Sequence, residues 1–281
     1  MDRYAVIGNP VEHSRSPQIH ARFAEQTGQD IRYGRLLSPL DGFAETVRNF
    51  AARGGRGCNV TVPFKFEAAR LAARLTPRAS LAGAVNVLRF DEPVDGGWLG
   101  DNTDGVGLVR DIELNAAFAL AGCSLLLAGA GGAASGVLGP LLASRPARLV
   151  VVNRTVGRAN ELVDQHQGVA RQHQVALVAT EVPPIGERFD LLVNATSSSL
   201  LGAASPVPAS VLRDGALAID TMYGAPARRF LDWAAAHGAR TRDGLGMLVE
   251  QAAEAFWLWR GVRPATVPVL AELRREFGVP A

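Results

Sequence analysis

One residue type occurs once in this chain. Of its 29 basic residues, 28 are arginine and one is lysine, Lys65. Arginine keeps its proton near neutrality, whereas a lysine's pKa can be lowered by its surroundings. A lone lysine on an arginine background therefore points to a task that needs a titratable amine. Lys65 closes the run Asn59-Val60-Thr61-Val62-Pro63-Phe64-Lys65. Asn59 and Thr61 are two apart and share a strand face, which is either solvated or turned to a ligand. Ser14 and Ser16 follow the first apolar run and serve either a helix cap or a ligand. Asn86 interrupts the apolar run 84–88, and an amide in a buried strand needs partners. Asp101 follows Trp98-Leu99-Gly100 as a turn residue or a ligand. In a parallel sheet, the loops after strand C-terminal ends converge on one crevice. Hydroxyls, amides, one amine and one carboxylate suit a small polyhydroxylated acid better than an apolar ligand.

A second constellation begins at Gly129-Ala130-Gly131-Gly132-Ala133-Ala134, after the apolar run Leu125-Leu126-Leu127-Ala128. The pattern satisfies G-x-G-x-x-A between a strand and a helix, where a tight turn brings backbone against a pyrophosphate at a helix N-terminus. About 20 residues further on, an NAD enzyme places a carboxylate on the ribose hydroxyls. Here the run Leu149-Val150-Val151-Val152 ends in Asn153-Arg154-Thr155-Val156-Gly157-Arg158, with two arginines and no acid. Guanidinium suits a phosphate, so the expectation is NADP over NAD.

The elements that must position these groups read as an α/β chain. Apolar runs at 4–8, 31–37, 57–62, 85–90, 125–128, 149–152, 191–194 and 216–220 alternate with helix-like segments at 16–28, 42–52, 65–74 and 105–115. Further helices are expected from Ala225-Pro226 to near Gly238, and at 247–259 and 268–277. Strands separated by helices argue for parallel sheets covered on both faces. Residues 114–144 carry no formal charge, but their glycines and Pro140 argue for strand, turn and buried helix rather than a membrane span. The turn formers at 100–105 mark the strongest domain boundary. A formal net charge of +2 over 281 residues argues against nucleic-acid or anionic-membrane partners. Cys58 and Cys123 lack metal-type spacing and suit a reducing cytoplasm. The N-terminus lacks the basic and long apolar regions of a signal peptide.

Taken together, these segments resemble the shikimate dehydrogenase family over nearly the whole chain. The resemblance rests on Gly8-Asn9-Pro10 with Ser14-Arg15-Ser16-Pro17, on residues 59–65, 82–86, 100–105 and 129–133, on Asn153-Arg154-Thr155 and Asn194-Ala195-Thr196-Ser197, and on 243–248. It implies an N-terminal α/β substrate domain with a mainly parallel sheet, a Rossmann-type NADP domain, and C-terminal helices returning to the first domain. The boundaries expected are 1–103 plus 246–281 for the first domain and 104–245 for the second. It implies Lys65 and Asp101 as the catalytic pair, and Ser14, Ser16 and Tyr223 on the substrate carboxylate. Asn59, Thr61, Asn86, Asp101 and Gln251 would hold ring hydroxyls. Gly129, Ala130, Gly131, Gly132 and Ala133 would hold the pyrophosphate, and Asn153, Arg154, Thr155 and Arg158 the adenosine end with its 2′-phosphate. Thr196, Gly244 and Met247 would lie near the nicotinamide. The implied activity is reversible NADP-dependent reduction of 3-dehydroshikimate to shikimate by a cytoplasmic monomer or homodimer, without metal. Departures from the family pattern are Ala134-Ser135 in place of Ser-Arg and the segment 199–201. Quinate as a second substrate stays open. A folate dehydrogenase would need a large aromatic pocket, and a non-catalytic NADP- or shikimate-binding regulator would not need both Lys65 and Asp101.

Overall fold

The structure, a computed structural model, describes residues 1–90, 97–196 and 205–278. These form two compact units, Met1–Gly107 with Leu248–Ala281 and Leu108–Met247. Both divisions lie inside helices, α5 (Asp104–Arg110) and α9 (Leu245–Arg260).

The first unit contains β1 (Asp2–Gly8), α1 (Ser16–Thr27), β2 (Ile31–Leu37), α2 (Phe43–Ala52), β3 (Gly55–Val60), α3 (Lys65–Leu71), β4 (Arg74–Leu75), α4 (Pro77–Ala82), β5 (Val87–Arg89), β6 (Leu99–Asp101) and α10 (Val267–Phe277). Its sheet has the order β2-β1-β3-β5-β6-β4. Three pairings are parallel, while β5 runs antiparallel to both β3 and β6. That reversal matters for the site. Because β5 is inverted, its beginning lies at the same sheet end as the finish of β3 and β6, in the register Asn59↔Val87↔Asp101. Asn86 precedes β5 rather than interrupting it, and so reaches that end. Alternate residues of β1 serve the two faces. Ala5 and Ile7 join Phe43, Val47 and Phe64 in one core, while Tyr4 stacks on Trp259 of α9 on the other side.

The second unit contains β7 (Ser124–Ala128), α6 (Gly132–Ala143), β8 (Arg148–Val152), α7 (Val156–His173), β9 (Ala176–Thr180), β10 (Phe189–Asn194), β11 (Leu212–Asp220), α8 (Ala225–Ala236) and β12 (Arg240–Arg242). The order is β12-β11-β10-β7-β8-β9, with every pairing parallel. This is the doubly wound dinucleotide order, with the reversal of winding between β7 and β10. Four consecutive apolar residues make sense in β7 because both faces are covered. Leu125 and Leu127 join one core and Leu126 and Ala128 the other. The uncharged stretch 114–144 is thus a central strand, a turn and a buried helix. Among the described residues no helix is long and apolar enough to cross a membrane.

Candidate active site

In the first unit, Lys65 opens α3 and Asp104 opens α5. The Lys65 Nζ stands 2.5 Å from the Asp104 Oδ2, with side-chain exposures of only 15% and 7%. Asn86 organises the surroundings. Its amide nitrogen donates toward Asp104 Oδ1 (2.9 Å), Thr103 Oγ1 (3.0 Å) and Gln251 Oε1 (3.2 Å), sharing two hydrogens among three acceptors. Its Oδ1 accepts from the Thr103 backbone N–H at 2.8 Å. Asn102 anchors the same loop, donating from Nδ2 to the Ala84 carbonyl at 2.9 Å and accepting the Asp104 N–H at 3.1 Å. Asn86, Asn102 and Thr103 are each no more than 2% exposed, so each carboxylate and amide here is held by buried partners.

Asp101 stands apart from this pair. Its Oδ1 accepts from Thr76 Oγ1 (2.5 Å), Arg78 Nε (2.7 Å) and the Asn102 N–H (2.7 Å), and its Oδ2 accepts from Arg78 Nη2 at 2.5 Å. Burial pushes the Asp101 carboxyl upward, but the Arg78 guanidinium, together with the Thr76 hydroxyl and the Asn102 N–H, more than offsets it and holds it below the usual range. Arg78 also donates to Glu254 on α9 at 2.9 Å.

At the start of the unit, Ser14 Oγ accepts the Ser16 N–H at 3.3 Å and lies 3.2 Å from Ser16 Oγ. Ser16 is the first residue of α1, and the N-cap position belongs to Arg15, which makes no side-chain cap. The cap expected from Ser16 is thus corrected, since Ser14 receives the amide instead. Asn59 is buried at the end of β3, its Nδ2 donating to the Asn86 carbonyl at 3.3 Å. Thr61 follows two residues later, half-buried. Gln251 lies on α9, its Nε2 donating to the Leu248 carbonyl at 2.9 Å.

In the second unit, Gly129 follows β7 with φ +115°, where an added Cβ would meet the Ala195 carbonyl oxygen at 2.9 Å. Only glycine satisfies both conditions. Gly131 is the N-cap of α6, with Gly132 its first residue, and a Cβ at Gly131 would meet open space. Unpaired N–H groups at such a helix start favour an anion. Asn153 follows β8, donating from Nδ2 to the Thr155 carbonyl at 2.9 Å. Thr155 is the N-cap residue of α7, whose first turn holds no acid. Arg154 and Arg158 are exposed, and neither forms an ion pair among the described residues. Thr196 donates from Oγ1 to Asn194 Oδ1 at 2.7 Å. Gly244 passes so close to Thr221 that a Cβ would lie 2.3 Å from its carbonyl oxygen. Met247 is 7% exposed within the core, and Tyr223 is half-buried just beyond β11.

Family models match three consecutive stretches: the shikimate dehydrogenase substrate binding domain over residues 6–88, shikimate / quinate 5-dehydrogenase over 113–204, and the shikimate 5′-dehydrogenase C-terminal domain over 244–274. A shikimate dehydrogenase (NADP(+)) of Methylibium petroleiphilum is 64% identical over 279 residues, covering 97% of this chain and 94% of that relative. The chain belongs to the shikimate dehydrogenase family. A second relative so named, from Acidovorax sp., is 60% identical over 280 residues, covering 100% of this chain and 98% of its own. The crystal structure of shikimate 5-dehydrogenase from Thermus thermophilus in complex with shikimate is 35% identical, with a TM-score of 0.83 over 99% of this chain and 100% of that one.

Within this member of the shikimate dehydrogenase family, the first unit brings Lys65, Asn86 and Gln251 together, but around Asp104. The pairing of Lys65 with Asp101 expected from the sequence is corrected on two grounds. The lysine's partner is Asp104, and both Asp101 oxygens are already taken by four donors. The same saturation leaves Asp101 poorly suited to hold a substrate hydroxyl. Asp104 and Arg78 escaped sequence reasoning for different reasons. Two carboxylates lie three apart in residues 101–104, and only Asp104 starts a helix, which is the one local signal available. Arg78 is one of 28 arginines with nothing local to mark it. Residues 199–201, the second departure from the family pattern, lie outside the described residues.

Proposed function

We propose that this chain catalyses the reversible, NADP-dependent interconversion of 3-dehydroshikimate and shikimate, with Lys65 and Asp104 as its catalytic pair. The observation that carries the reading is the lone lysine, held against a buried carboxylate within a cradle of amides. In the reducing direction, the Lys65 ammonium gives a proton to the carbonyl oxygen as that oxygen gains charge, and water restores the proton afterwards. In the oxidising direction the neutral amine takes the hydroxyl proton. Asp104 orients the amine and accepts a hydrogen bond from the neighbouring ring hydroxyl. Asn59, Thr61, Asn86 and Gln251 hold the hydroxyls. Ser14 and Ser16 hold the carboxylate, with Tyr223 the third residue that the family implies. When bound, NADPH supplies the hydride. The α6 N-terminus with Gly129, Ala130, Gly131, Gly132 and Ala133 would hold its pyrophosphate. Asn153, Arg154, Thr155 and Arg158 would hold the 2′-phosphate, and Thr196, Gly244 and Met247 would flank the nicotinamide. The fit rests on two exposed guanidiniums beside a helix start that carries no acid. We place the enzyme in the cytoplasm as a monomer or homodimer, in keeping with two buried free thiols.

The test is direct. Shikimate with NADP+ should yield reduced nicotinamide, and replacing shikimate by quinate or NADP+ by NAD+ should sharply lower catalytic efficiency. No turnover of shikimate would overturn the reading, and equal efficiency with NAD+ would overturn the role of the two arginines.

A further inference from the structure

Behind the serines and amides assigned to substrate lies a buried polar cluster that the mechanism does not use. Tyr33 on β2 reaches across β1 and donates its phenol proton to Asn59 Oδ1 at 2.6 Å. Its register partner on β1 is Tyr4, which in turn faces Gly57 of β3, two residues short of Asn59. The phenol pKa stands well above its ordinary value, chiefly through burial, and the neighbouring Ser16 hydroxyl pulls it the other way. The Tyr33 ring stacks on His20, one helical turn beyond Ser16, with centroids 4.2 Å apart and planes within 5°. Phe23, Phe256 and Trp259 enclose that imidazole.

We infer that Tyr33 is a positioning residue for shikimate binding, acting through the Asn59 amide. This rests on the reading above that Asn59 meets a ring hydroxyl. An amide side chain has an acceptor end and a donor end, and its orientation follows from what each end meets. The Asn59 nitrogen faces the Asn86 carbonyl, which can only accept. The Asn59 oxygen faces the phenol O–H, which donates. The two contacts together hold the amide in one orientation and use only one of its two Nδ2–H bonds. Without the phenol proton, the oxygen end is buried unpaired and the amide is held at one end only. The His20 stack keeps the Tyr33 ring in place and needs no hydroxyl, so the hydroxyl is separable from the packing.

The test compares Tyr33→Phe, Asn59→Ala and the double variant in the same assay. Tyr33→Phe should raise the KM for shikimate about 5- to 10-fold, the size of one lost hydrogen bond, with kcat and the KM for NADP+ within about 2-fold. In the Asn59→Ala background the same change should add nothing, because Tyr33 acts through that amide. A shikimate KM unchanged by Tyr33→Phe, or effects that multiply in the double variant, would overturn the proposal. If Asn59→Ala itself leaves the KM unchanged, the assignment of Asn59 to substrate falls and the role of Tyr33 falls with it. A melting curve and the NADP+ KM report folding. Should Tyr33→Phe melt below the assay temperature, shikimate binding isotherms on cooled, folded protein carry the same comparison.

Discussion

The two units bind by different means. In the second, the candidate cofactor surface is made largely of backbone: a glycine at φ +115° and the starts of α6 and α7, within residues 129–133 and 153–158. In the first, the candidate substrate surface is made of side chains from separate segments, joined by buried hydrogen bonds around Asn86. A backbone site is written in consecutive residues, because turn geometry and helix starts are local. A side-chain site depends on which of several chemically equivalent groups the fold brings together. Asp101 and Asp104 show the consequence. They are three residues apart and the same residue type, yet one is locked to Arg78 and the other faces the only lysine.

The largest expected effects test that division directly. Lys65→Arg keeps the charge but loses the titratable amine, and should lower kcat by about 10²- to 10⁴-fold with little change in NADP+ binding. Asp104→Asn should also depress kcat and, because it too removes one member of a buried pair, lower the melting temperature. Asp101→Asn should act chiefly on stability. It breaks one member of a buried pair and should cost about 3–5 kcal/mol of stability in a melt, with more kcat retained per folded molecule than in Asp104→Asn. A stable, inactive Asp101→Asn beside an active Asp104→Asn would return the catalytic role to Asp101.

A smaller effect concerns the buried side of the first unit. Burial lowers the His20 pKa to about 3, against a weak upward pull from the Asn59 side chain, and neither ring nitrogen has a partner in hydrogen-bonding geometry among the described residues. The unfolded chain binds a proton near the ordinary value of 6.5 and the folded one does not. The stability is therefore complete above pH 6.5 and is lost as the pH falls from there toward 3. At pH 4.5 the loss amounts to roughly 2–3 kcal/mol. Unfolding curves of His20→Phe should lack this part of the acid sensitivity, and an identical acid profile would remove His20 as its source.

The smallest effect lies in the second unit. Replacing Arg154 or Arg158 by alanine should raise the KM for NADP+ about 10-fold each, as expected for one charged phosphate contact. Use of NAD+ and the KM for shikimate should stay unchanged. An NADP+/NAD+ preference that survives both changes would move phosphate recognition elsewhere.

Much of the fold was legible, and the omissions share a cause. Buried central strands announce themselves as apolar runs, as in β7 and β8. The edges did not. β9, at the rim of its sheet, alternates exposed Ala176 and Val178 with buried Leu177, and β12 is three polar residues, Arg240–Arg242. Their strand character comes from a neighbour's hydrogen bonds, not from composition. The inversion of β5 was likewise silent, because a three-residue strand carries no mark of its direction.

By itself, the sequence determined what depends on neighbours along the chain. It set the glycine turn that only glycine can make, the helix starts beside it, two arginines where an NAD enzyme would carry an acid, and one titratable amine among 28 arginines. The tertiary structure alone decided the partners. It inverted β5 so that Asn86 meets Asp104, gave Asp101 to Arg78, and brought Tyr33 over β1 to Asn59. The reason is physical. A turn or a helix start follows from backbone sterics within a few residues, whereas a hydrogen bond across tens of residues is settled by competition among like groups once the core has packed.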